Sequence, residues 1–203
     1  MPEDKLRRMQ LAQTDMLKEL KRICEKHDLR YFLAQGTLIG AVRHGGFIPW
    51  DYDIDVLKPL EDILKLEKIF ENEAPSYYHL QNYHTELFCP FQWSKIRKDN
   101  STSMPAANKY LPIHWGICID IFPFYNVSDN KLFSKLQWLG FKVINKLLFH
   151  SMKKYTHEMT GLSKAMISAS AHIRRFICEV ITKTLLLSVK EGKNVFAMCK
   201  GGR

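Results

Sequence analysis

Residues 36–56 read GTLIGAVRHGGFIPWDYDIDV, and the fold is decided in this stretch. Gly36-Thr37 opens a short helical turn that runs through Ala41, and His44-Gly45-Gly46 breaks it. Beyond the break, Tyr52–Leu57 alternates and reads as a strand whose Ile54 and Val56 face a core. Residues two apart on a strand face the same way, so Asp51, Asp53 and Asp55 are expected together on the other face. Two such carboxylates near 4 Å repel by about 4 kcal/mol at an effective dielectric of about 20. An isolated D-x-D is most simply a solvated acidic turn. Here Phe47-Ile48-Pro49-Trp50 leads directly into it, so an apolar anchor is expected to hold the cluster in place. A cation is then the natural means of neutralising it, and oxygen-only ligands favour Mg2+ or Mn2+.

A third carboxylate comes from a separate segment. Asp120 is the only charge in Gly116–Pro123, GICIDIFP, which reads as a buried strand over 117–122. A lone ionised carboxylate there is costly unless it meets a partner or a metal. The same cation is its simplest partner; a cap on the turn before Pro123 is the alternative. Gly36-Thr37, at a helix start, can present backbone N–H groups to a phosphate. Arg43 follows on the same unit, either as a phosphate clamp or as an exposed structural residue.

Outward from this centre, residues 5–27 form an amphipathic helix with Leu6, Met9, Met16, Leu17, Leu20 and Cys24 on one stripe. A short strand is expected at Tyr31–Ala34, a helix over 60–72 ended by Ala74-Pro75, and strands at 77–82 and 91–97. Lys98–Asn108 has loop composition, and the pattern is helical from about 130 to 189. Strands and helices in this order make an α+β or α/β arrangement, a mixed β-sheet flanked by helices with a basic helical C-terminal part. Residues 1–125 carry 16 Lys/Arg against 17 Asp/Glu, whereas 126–203 carry 14 against four. The formal net charge of +9 therefore resides in the last part of the chain. The expected division is a catalytic core over 1–125 and a basic helical region over 126–203. Five scattered cysteines without a C-x-x-C pair argue against a disulfide framework and for a reducing compartment. With no signal peptide and no spanning segment visible, the expected location is cytoplasmic, extending to the inner face of the membrane. In 131–149, Lys131, Lys135, Lys142 and Lys146 fall within about 60° at helical spacing, with leucines on the other side. Such a helix either lies on an anionic membrane or packs its leucines on the core. No nucleic-acid motif is present, and nucleic acid is not expected as a partner.

The run G-T-L-I-G-A-V-R-H-G-G-F-I-P-W-D-x-D-I-D resembles the signature of the LicD family, which includes the fukutin-related proteins. The likeness extends weakly to Lys95–Thr102 and to Ile119–Pro123. It implies a nucleotidyltransferase-type fold and a transferase that moves phosphocholine, or a similar phosphorylated alcohol, from CDP-choline or another CDP-alcohol. The implied acceptor is a cell-surface glycan such as lipopolysaccharide or teichoic acid, which can be lipid-linked, and CMP is released. By the resemblance, Asp53 and Asp55 are the metal-binding pair and Asp120 the third carboxylate, all three catalytic. Gly36, Thr37 and Lys95 stand on the phosphate side, with Arg43 beside them. Tyr52 stands where the family has another Asp, and the family's aromatic-rich C-terminal region has no counterpart here, so a truncated or divergent C-terminus is expected. Nucleotidyl transfer from an NTP would use the same metals, and a non-catalytic, membrane-associated nucleotide-binding relative is the reading from outside the enzymes. A choline-type donor would need aromatic faces, for which Tyr77, Tyr78, Tyr83, Trp93 and Trp115 are candidates or else core residues.

Overall fold

A computed structural model describes residues 3–104, 111–154, 161–190 and 192–197, with side chains except at 150–154 and 161–169. Helix α1 (Glu3–Lys26) leads into β1 (Phe32–Leu33), α2 (Gln35–His44), β2 (Asp55–Pro59) and α3 (Leu60–Glu73). Strands β3 (Tyr78–Gln81), β4 (Ser94–Lys98) and β5 (Cys118–Val127) follow, then α4 (Lys131–Lys154) and α5 (Gly161–Ile181). A five-residue π-helical turn, Thr182–Leu186, closes α5 before a last strand, β6 (Asn194–Ala197). The sheet order is β1-β2-β5-β4-β3, with β6 also on β5. Only β2 and β5 run parallel; the other pairs are antiparallel. This mixed sheet flanked by helices is the expected α+β arrangement.

One face of the sheet buries Ile54, Val56, Ile96, Ile119 and Ile121 against Met16, Leu20 and Ile23 of α1 and Ile63, Leu66 and Phe70 of α3. Burying side chains of this size stabilises by about 1.5–3 kcal/mol each before entropy is counted. A second cluster, Tyr83, Tyr125, Ile144, Leu148, Cys178 and Leu186, joins α4 and α5 to the far end of the sheet. On the core face of β2, Lys58 is fully buried, and its amine donates to the carbonyl of Arg30 (2.9 Å) and to Cys24 Sγ (3.2 Å). Burial lowers its pKa.

Several expected boundaries are corrected. The carboxylate strand begins at Asp55, not at Tyr52, because side chains take up the preceding backbone: Gln10 Nε2 donates to Asp51 O (2.8 Å) and Gln13 Nε2 to Tyr52 O (3.1 Å). The apolar anchor holds through Phe47, which packs on the core, but Trp50 is 76% exposed. Strand β5 does not stop at Phe122 and runs through Pro123 to Val127. Asp120 N–H points to β2 (Ile54 O, 2.8 Å), so the position of Pro123 faces the other edge. There β4 pairing has ended at Ile121 and β6 pairing starts at Phe124, so the missing N–H falls in a gap. The expected helical run over 130–189 divides into α4 and α5, and β6 adds an unforeseen strand to the sheet. The expected loop lacks regular structure over 101–104, and its residues 105–108 lie outside the described residues, as do Met198–Arg203.

The α2 unit depends on two glycines. Gly45 takes the left-handed conformation (φ 64°) that ends the helix, and Gly46 N–H closes back on Gly40 O at 3.3 Å. A methyl group on Gly40 would lie 2.4 Å from Gly46 O and 2.9 Å from Ile48 N, both backbone atoms. Gly40→Ala is therefore expected to cost about 1–3 kcal/mol by overpacking, read as a lower urea midpoint with unchanged slope. An unchanged midpoint would mean that the 45–48 turn does not pack on α2 in solution.

Candidate functional site: a carboxylate row across the sheet

The face opposite the main core carries Asp55, Asp120 and Lys95. Ile54 and Val56 belong to one core cluster, so Asp55, between them, faces the other way; Asp53 precedes the strand by two residues. Asp55 and Asp120 are register partners across the parallel β2–β5 pair, and Lys95 is the partner of Asp120 across β5–β4. Asp55 is 5% exposed, Asp120 2% and Lys95 7%; Asp53 is half-buried. Three strands thus bring Asp55, Asp120 and Lys95 into one buried row.

Lys95 Nζ forms an ion pair with Asp120 Oδ1. Cys118, two residues before Asp120 on the same face, brings Sγ to 3.8 Å from that oxygen and 3.9 Å from Lys95 Nζ. The lysine also lies over the rings of Phe91 (5.0 Å) and Trp93 (5.4 Å), and Trp93 packs on Phe122. Asp120 therefore has a protein partner in Lys95, where the sequence alone predicts a cation or a turn cap. The charge count still leaves room for one: Asp53, Asp55 and Asp120 bring three negative charges, and Lys95 one positive. Oxygen donors with an excess of negative charge fit a hard divalent cation such as Mg2+ or Mn2+.

The first turn of α2 is tied to this row. Thr37 Oγ1 accepts the N–H of Asp55 (2.9 Å), and Ala34 N–H donates to Asp55 O (3.0 Å). A methyl group on Gly36 would lie 2.5 Å from Asp51 Oδ2, so the absent side chain lets the Asp51 carboxylate approach the helix start. Negative charge is favoured at that end. Gln35, the first residue of α2, holds φ at +49°, a conformation costly for a residue with a side chain. Arg43 is exposed in the last turn of α2, about 9 Å along the axis from Thr37 at 1.5 Å per residue.

Of the five aromatic candidates, Trp93 alone neighbours the row through Lys95. Tyr77 and Tyr78 lie under Lys98, Tyr83 is buried against Thr182, and Trp115 lies under Arg97. Sequence reasoning missed Gln10, Gln13, Phe91, Arg97 and Cys118. The two glutamines were legible as polar residues prolonging the buried stripe of Met16 and Leu20. Arg97 anchors the adjoining loop, donating to Gln81 Oε1 (2.8 Å) and Gly116 O (2.7 Å).

Away from the row, His79, Asp99 and His114 bring ligand-type atoms within 4.8 Å of one another. Their wiring is that of a hydrogen-bonded carboxylate. Gly116 N–H donates to His114 Nδ1 (3.0 Å), which assigns the ring proton to Nε2, facing Asp99 Oδ1 at 2.8 Å. His79 Nε2 meets the same oxygen at 2.9 Å. Hydrogen bonds from His79 and then His114 hold the Asp99 carboxyl below its ordinary range. The trio fastens β3 to the loop before β5.

Comparison with known proteins follows the same geometry. The nucleotidyltransferase domain described as LicD/FKTN/FKRP matches residues 28–163, a span that contains α2, the carboxylate row and Lys95. The chain is 38% identical over 76 residues to the lipopolysaccharide cholinephosphotransferase LicD of Haemophilus influenzae, covering 37% of this chain and 29% of that protein. It is 33% identical over 118 residues to the ribitol 5-phosphate transferase FKRP of Mus musculus, covering 58% of this chain and 21% of that one. The human FKRP is 30% identical over 117 residues, again 58% and 21%. The chain thus spans less than a third of the length of these relatives. A domain match over more than half of its residues places this chain in the LicD/FKTN/FKRP nucleotidyltransferase-domain family.

Proposed function

We propose that the chain is a transferase that moves a phosphorylated alcohol, phosphocholine or a similar group such as ribitol 5-phosphate, from a CDP-alcohol to a hydroxyl of a cell-surface glycan. The observation that carries this reading is the buried row Asp55–Asp120–Lys95, set beside the Thr37 turn inside the family's domain. The reaction is an in-line displacement: the acceptor oxygen bonds to the alcohol-side phosphorus, the bond from that phosphorus to the bridging oxygen breaks, and CMP leaves with the electron pair.

Asp53, Asp55 and Asp120 would hold Mg2+ or Mn2+, which when bound neutralises the diphosphate charge and orients it. The chain's own groups do the rest. Asp120 takes the proton of the attacking hydroxyl. Lys95, held by Asp120 and backed by Phe91 and Trp93, supplies positive charge to the phosphate side in a site with little water. Thr37 fixes the backbone of Asp55, and Gly36 lets the Asp51 carboxylate reach the start of α2. Trp93 is the residue best placed to face a quaternary ammonium.

The test is an incubation with a panel of CDP-alcohols, Mg2+ and a glycan acceptor, followed by analysis of the nucleotide released. CMP is the expected product. Pyrophosphate formed from CTP would replace this reading with nucleotidyl transfer. Tight donor binding without any nucleotide product would make the chain a non-catalytic binding relative.

A further inference from the structure

The helical hairpin α4–α5 carries more apolar surface outward than a packing role explains. On α4, Gln137, Ile144 and Leu148 are buried, yet Leu132 is 71% exposed, Leu139 53%, Leu136 43% and Val143 36%. These four are spaced i, i+4, i+7 and i+11, a single stripe about 130° round the helix from the buried face. On α5, Ile173 (63%), Phe176 (66%), Ile177 (39%) and Val180 (42%) form a second exposed stripe, while Ala171 and Cys178 are buried.

The two stripes belong to one surface. A methyl group on Gly140 would touch Ile181 and Leu185, each at 2.9 Å, so the helices meet closely along that line. Going round α4 from Gly140, the core lies on one side and the Leu132–Val143 stripe on the other. Going round α5 from Ile181 and Leu185, the core lies on one side and the Ile173–Val180 stripe on the other. Gly140 lies in the first half of α4 and Ile181 and Leu185 at the end of the α5 run, so the two helices pass in opposite senses and both stripes open away from the core, side by side.

Its edge is basic. At 100° per residue, Lys135 and Lys146 fall about 50–70° from the centre of the α4 stripe, with Lys142 and Lys131 about 90–110° from it on the same side. Asp129, Glu158, Glu179 and Glu191 are the only acids after residue 125, against 14 Lys/Arg. Two copies pressed together through this face would oppose their lysine edges, which disfavours a dimer. An apolar stripe bordered by lysines matches an anionic bilayer surface: the leucines enter the headgroup boundary and the ammonium groups reach the lipid phosphates. Among the described residues no helix is long and apolar enough to cross a membrane, so the contact would lie in the surface plane.

We infer that the paired outer faces of α4 and α5 dock the protein on an anionic lipid bilayer. The inference does not depend on the transferase reading. The experiment is co-sedimentation of the full chain with vesicles of zwitterionic lipid, alone or mixed with phosphatidylserine, at low and high salt. The wild-type chain should pellet with the mixed vesicles and stay in solution with the zwitterionic ones. Raising salt to 1 M, where the Debye length is about 3 Å, should release it. Lys135→Glu with Lys146→Glu, and separately Leu136→Ser with Leu139→Ser, should each lower partitioning about tenfold or more, with unchanged circular dichroism. All four positions are exposed, so the variants should fold. Absence of binding to mixed vesicles, or equal binding to both lipids, would overturn the inference. So would a wild-type dimer in sedimentation analysis that Leu136→Ser with Leu139→Ser converts to monomer, since a second copy would then be the occupant.

Discussion

Asp55→Asn is expected to lower transfer by about 1,000-fold or more while leaving the protein folded and no less stable. Asp55 is buried beside Asp120 as its register partner on the parallel strand, with Asp53 two residues before it. Bringing like charges this close is unfavourable. An amide keeps the shape, removes one negative charge and removes an oxygen ligand that the proposed cation requires. Without added Mg2+, the thermal midpoint of the variant should equal or exceed that of the wild type; with Mg2+, the wild type should gain more. Asp53→Asn should follow in activity with a smaller thermal effect, since Asp53 is only half-buried. Near wild-type turnover in either variant would remove these residues from the site.

Asp120→Asn should behave differently, and the contrast rests on Lys95. This substitution leaves a buried ammonium without its carboxylate, at a cost of about 3–5 kcal/mol, the usual penalty for breaking a buried ion pair from one side. Activity should fall with it. Lys95→Met removes the opposite partner and leaves the three carboxylates without the lysine's charge. Its midpoint should drop without metal and recover more than that of the wild type when Mg2+ is added. The double variant should be less destabilised than the sum of the two singles, a coupling that denaturant titrations of all four proteins can measure. Additive losses would mean that the two side chains do not pair in solution.

The centre of the molecule was legible because its signals are local and dense. The Gly-Gly break after α2, the alternation around Asp55 and the single charge in the β5 strand each follow from spacing. Placing Asp120 near Asp55 rested on the cost of a lone buried carboxylate and on the family resemblance, because strand order is not written in any one segment. The same limit hid Lys95's partner: the lysine and Asp120 are 25 residues apart and meet only through the β4–β5 register. Gln10 and Gln13 escaped notice because their work is to hold backbone atoms of a distant loop. In the basic part, period alone placed all the leucines of α4 on one face. The structure separates Ile144 and Leu148, which are buried, from Leu132, Leu136 and Leu139, which are not. Strand β6 has too little pattern in Asn194–Ala197 to announce itself; it exists because β5 extends past β4 and offers an open edge.

The central claim is the identity of the bond that breaks, and labelled phosphorus tests it most directly. A CDP-alcohol carrying the label in the alcohol-side phosphate should be incubated with the chain, Mg2+ and a glycan acceptor, and the glycan and the nucleotide separated. The proposed reaction moves the label to the glycan together with the alcohol and leaves unlabelled CMP. If instead the label departs with the alcohol as the free phosphate ester while cytidine monophosphate becomes attached to the acceptor, attack has occurred at the nucleotide-side phosphorus, and the account of this site is wrong.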